Sequence, residues 1–187
     1  TRDLWFGSRL LGELSAAAAK ALQAAGDVEL IVPTAQMLQA DDQGLGIPNQ
    51  LLAEIKNGDP ATVARKAREQ VLQLLQDKAK RLWDELADKV VLKTDENRAI
   101  FDEQVRSFLE FYAAWIPYEE GGYVEARKAL RQLMAARKRL RESPPVTAPP
   151  PFPLVPTEER KLRARRWKSS LDGARSSVLL APEERGP

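Results

Sequence analysis

Apolar and polar positions alternate along the chain in patterns that change character twice. Over the first 26 residues Leu4, Ser8, Leu11, Ser15, Ala18 and Leu22 fall within one arc at about 100° per residue, which predicts an amphipathic helix. Gly26 is its natural stop. The arc is unusual in carrying Ser8 and Ser15, with Gly7 beside them, where large apolar side chains are expected. "DVELIVP" then reads as a short strand ended by Pro33, "TAQMLQADDQGLGIPNQ" as a loop, and "QLLAEIKN" as a second strand. Helix, strand, loop and strand make half of an α/β sandwich.

At Asp59-Pro60 the pattern turns wholly helical, because an aspartate cap followed by proline at the first helical position is a strong start signal. Val63, Ala67, Val71, Leu75, Leu82, Leu86 and Val90 mark the apolar seam of a helix reaching about Val91. A second helix is predicted from Asp95 to Ile116, with Phe101, Val105, Phe108, Tyr112 and Trp115 at spacings of four, three, four and three. Such a row is the inner face of a helical core or a platform for stacking bases. After "PYEEGG", Tyr123, Leu130, Leu133, Arg137 and Leu140 lie along a third helix ending near Glu142. Three helices joined by short turns predict an antiparallel bundle. "SPPVTAPPPFPLVP" cannot continue a helix and reads as an extended connector.

Composition narrows the chemistry. The 187 residues are 43% apolar and 30% charged, as in a globular protein, and no run approaches the roughly 18 to 20 apolar residues of a membrane span. A cytoplasmic location is the expectation. There is no cysteine and no histidine. Disulfides, thiolate metal sites, imidazole bases and histidine-ligated metals are therefore excluded within this sequence. The net charge of +2 hides a division: residues 1–126 carry 14 Lys+Arg against 21 Asp+Glu, whereas residues 127–175 carry 14 against 4. A basic region of that density suits phosphate backbones, and a solvated helix face gives the same count.

Four separated segments, "TRDLWFGSRLLGELS", "IPNQLLAEI", "FLEFYAAWIPY…YVEARKAL…AARKRLRE" and "KSSLDGARSSVL", resemble in their order the large subunit of type III-B (Cmr-type) CRISPR RNA-guided effector complexes. That family is related to palm-domain cyclases and polymerases. The resemblance implies most of a first palm of ferredoxin-like type, followed by a helical domain, inside a longer protein. It implies ATP as ligand, with other subunits of the complex, guide RNA and target RNA as partners. It also implies a parent that makes cyclic oligoadenylate and cuts single-stranded DNA in many members. No GGDD, histidine-aspartate pair or cysteine cluster occurs here, so this segment is expected to be inactive alone, with any divalent metal held elsewhere in the parent.

In palm-type cyclases the helix after the first strand lines the nucleotide pocket. The resemblance therefore gives Gly7 and Ser8 a use: glycine lets a purine approach the backbone, and the serine hydroxyl both donates to and accepts from adenine's edge. The alternative is that both permit close helix packing, which is the preferred reading for Ser15. Arg2 and Asp3 read as a surface ion pair, and Asp41-Asp42 as solvated loop acids rather than metal ligands. "RKLRARRWKSSLDGAR" sets Arg160, Lys161, Arg163, Arg165, Arg166 and Lys168 around Trp167, a mixture suited to single-stranded nucleic acid or to a solvated helix with an anchored ring. The Arg137–Arg141 stretch has a weaker form of the same pattern.

The expected fold is α+β and predominantly helical, a partial ferredoxin-like palm (helix plus short strands) followed by a helical bundle. The expected divisions are 1–58 partial palm, 59–143 helical bundle, 144–157 proline-rich connector and 158–187 basic segment. A reading from another class is a stand-alone helical module that binds nucleic acid or protein through the basic C-terminal region.

Overall fold

A computed structural model describes residues 2–40, 46–86, 95–117, 119 and 121–140. Helices dominate, with a single two-stranded antiparallel sheet among the described residues. Helix α1 (Arg2–Gln23) is followed by strand β1 (Val28–Val32), a short helix α2 (Ala35–Ala40) and strand β2 (Leu52–Ile55). Then come α3 (Pro60–Leu86), α4 (Asp95–Arg106) and α5 (Tyr123–Arg137). The chain gathers into two compact units, one of Thr1–Lys80 with Phe111–Arg137 and one centred on Arg81–Glu110.

In the first unit α1 packs on β1 and touches α2. Gly26, at φ 95°, supplies the left-handed residue that lets the chain leave the helix and enter the strand. Strands β1 and β2 pair with Val28 opposite Ile55 and Leu30 opposite Ala53, and the register shifts between Leu30 and Val32. The amide of Asn57 donates to Asp27 (3.0 Å), and Lys56 N–H donates to the Asp27 carbonyl (2.8 Å), closing the open end of the pair. Glu29 and Glu54 stand directly opposite each other, a like-charge pairing. Lys56, 2.9 Å from Glu29, offsets it and holds that carboxyl below the usual range.

The passage between the strands is not all loop. Thr34 caps α2 by accepting from Met37 N–H at 3.3 Å, and the helix turns Leu38 inward against Ala19 and Ile47, with Ala16, Leu30 and Leu51 around them. A threonine cap before an apolar residue was the available signal. Val63, Ala67, Val71 and Leu75 of α3 are buried, at the four-residue spacing the sequence predicts. That seam does not continue unchanged: Leu82 is 45% exposed, and it lies past Lys80, where the first unit ends.

The predicted helix from Asp95 to Ile116 stops at Arg106. Phe108 N–H donates to the Val105 carbonyl at 3.3 Å, a tightened last turn, and the Ser107 hydroxyl donates to the Gln104 carbonyl at 3.3 Å. Beyond it the run is rich in aromatic residues, which are modest helix formers, and Pro117 disfavours helical geometry at Ile116. The aromatic row is consequently not one helix face. Phe101 meets Trp83 of α3 at 5.0 Å between ring centroids, within the second unit. Arg98 lies over both rings, at 5.2 Å from Trp83 and 6.0 Å from Phe101, with its Nε donating to Asp102 at 2.9 Å. Phe108 and Trp115 are about half exposed.

Candidate functional site

The apolar arc of α1 is where the sequence places it, but only its C-terminal part is covered. Gly12, Leu14, Ser15, Ala18 and Ala19 are buried, whereas Ser8 and Leu11, on the same arc, are exposed. The elements that touch α1 most, β1 and the six-residue α2, are short, so the 22-residue helix outreaches them. The expected indentation in a buried face is thus an open stretch of helix. A Cβ built on Gly7 meets no atom within 4 Å. Among the described residues, none encloses a base at Gly7 and Ser8.

Ser15 behaves as a packing residue. It is 8% exposed, and its hydroxyl donates to the Leu11 carbonyl one turn earlier at 2.8 Å.

Beside the open stretch stand two large exposed rings, Trp5 at 54% and Phe6 at 59%. The Arg9 guanidinium lies over Trp5 at 5.6 Å, and its Nε donates to Glu13 at 3.0 Å. Glu13 also pairs with Lys78 of α3. Burial is the largest influence on the Glu13 carboxyl and opposes its ionisation. The hydrogen bonds from Lys78 and Arg9 with their charges together outweigh it, so the group titrates below its ordinary range. This three-member network ties the middle of α1 to α3. No spacing within one helix announces Lys78 as a partner of Glu13, 65 positions away, although the Arg9–Glu13 half was legible as an i,i+4 pair.

Several expected sites fall outside what the structure describes. These are the side chains of Arg2 and Asp3, the pair Asp41-Asp42, the proline-rich connector, and Arg163, Arg165, Arg166, Trp167 and Lys168. Among the described residues no three acidic side chains come together to hold a metal ion. Among them also, no helix is long and apolar enough to cross a membrane.

No family model matches the chain, no curated protein matches it, and neither does any solved structure.

Proposed function

We propose that this chain is a segment of the large subunit of a type III-B RNA-guided effector complex, a scaffold piece that contributes one wall of an ATP pocket. The observation that carries the reading is the accessible face of α1. Its C-terminal half covers the sheet, and the same arc continues, uncovered, through Gly7 and Ser8. The succession α1, β1, β2, with β1 and β2 antiparallel, is compatible with the portion of a βαββαβ palm that the resembling segments imply, with the short α2 inserted between the two strands.

In this reading a second palm, outside this chain, supplies the opposing wall. Gly7 leaves room for the purine at the backbone, and the Ser8 hydroxyl bonds the adenine edge. Because Ser8 is exposed here, enclosure by that second body is a requirement of the reading. The helical region would carry target-RNA occupancy to the palms by changing how they face each other. Cyclisation of ATP and any DNA cleavage belong to the parent, since this chain has neither GGDD nor histidine.

The test is to titrate ATP against the chain joined to its second palm. Gly7→Ala and Ser8→Ala should each weaken binding, roughly tenfold for one well-placed interaction removed. Unchanged affinity in both variants removes the opening helix from the pocket. Sequence flanking the chain should hold a histidine-aspartate motif upstream and GGDD downstream.

A further inference from the structure

Helix α5 has no buried residue, and its charges are sorted. At about 100° per residue Tyr123, Arg127, Lys128 and Arg131 share one side, while Glu125, its one acid, falls outside their arc. Lys128 and Arg131 are exposed, and among the described residues neither has an ion-pair partner. Val124, within the same arc, is 72% exposed. A cationic face without internal partners has to be neutralised by salt or by something that binds it.

The Tyr123 ring beside the cations matches a single strand. It is 39% exposed at the N-terminal end of the cationic side, and Arg127 holds it: Nη1 donates to the phenol oxygen at 2.8 Å, with the guanidinium carbon 6.0 Å from the ring centroid. An acidic protein surface would meet the cations and could pack against the ring, but it offers no row of flat faces to stack on it. A single strand does, because unpaired bases stack on aromatic faces while cations follow the phosphates. A duplex keeps its base faces covered, so it would meet only the charges.

We propose that this side of α5 is a docking surface for single-stranded nucleic acid, with Lys128, Arg131 and Arg127 on successive phosphates and Tyr123 under a base. Arg127 and Arg131 are one helical turn apart, about 6 Å along the axis. The site is separate from the opening helix, so a failed ATP titration leaves it standing.

The experiment uses the full chain carrying Arg163→Ala, Arg165→Ala and Arg166→Ala, so that the basic C-terminal region does not obscure α5. A labelled oligouridylate is titrated at several salt concentrations. Lys128→Gln with Arg131→Gln, both exposed and helix-compatible, should make the log–log salt slope shallower by about 1.4, at about 0.7 for each phosphate no longer neutralised. Tyr123→Leu should weaken binding roughly 5- to 150-fold, whereas Tyr123→Phe, which keeps the ring but loses the Arg127 hydrogen bond, should lose less than Tyr123→Leu. Melting curves establish that each variant is folded. A slope unchanged in the double glutamine variant overturns the proposal. So does a Tyr123→Leu affinity equal to the parent's, or polyglutamate binding as tightly as the oligonucleotide, which would make an acidic protein surface the occupant.

Discussion

Glycine in the interior of a helix costs stability unless something needs its lack of a side chain, and Gly7 has no neighbour that does. Nothing lies within 4 Å of the Cβ it would acquire, and it sits in regular helix. Gly7→Ala should therefore stabilise the fold by roughly 0.5–1 kcal/mol, read as a shift in denaturant midpoint. Raised stability together with weakened ATP binding would separate a functional glycine from a packing one. Ser15 predicts the reverse behaviour. Its site is enclosed, so Ser15→Leu should destabilise by about 1–3 kcal/mol through overpacking, measurable by the same unfolding curve. Gly7 lies beside the arc that carries Ser15, and the helical wheel alone does not say which of the two is covered. Periodicity reports the angle of a side chain about the axis, and says nothing of how far along that axis a neighbour extends.

The same distinction runs through α3. Its start was legible residue by residue: Asp59 accepts from Ala61 N–H at 3.2 Å and Thr62 N–H at 3.0 Å, with Pro60 opening the helix. Those bonds, with the Thr62 hydroxyl foremost, hold the Asp59 carboxyl below its usual range. Along the seam Leu75→Ala should cost about 2–5 kcal/mol, since Leu75 is 6% exposed. Leu82→Ala, two turns further on, should change stability by less than about 0.5 kcal/mol. Equal losses at both positions, in paired thermal melts, would mean that the seam is buried along its whole length. Helix α4 shows the opposite limit of pattern reading: the four-three spacing of its aromatics survives past Arg106, but the helix does not. Periodic spacing continues there without the helix that would give it one face.

For the whole molecule, charge placement sets how stability responds to pH. Glu13, Glu29 and Asp59 are all held below their ordinary values by partners present in the fold. On acidification the unfolded chain takes up these protons first, so stability rises with pH in that window. Their contribution is complete above about pH 4.5, the ordinary glutamate value, and is lost as pH falls through the lower folded values. Melting temperature should be flat from about pH 5 to 8, as there is no histidine, and decline below that. Glu13→Gln should flatten part of the acid decline; an acid limb identical to the parent's would show that the Arg9–Glu13–Lys78 network has no such role.

A boundary at residue 58 follows the change in pattern, yet the compact unit around the sheet includes α3 as far as Lys80 and residues 111–137. The sequence by itself determined the identity and order of the main helices and strands, the cap at Asp59, and a mostly helical α+β class. These depend on near neighbours, through hydrogen bonds, φ preferences and periodic burial. Only the tertiary structure decided which half of α1 is covered, where the α3 seam ends, that Leu38 joins Ala19 and Ile47, and that Lys78 reaches Glu13. Each of those requires distant segments to meet, and one-dimensional spacing contains no distance between them.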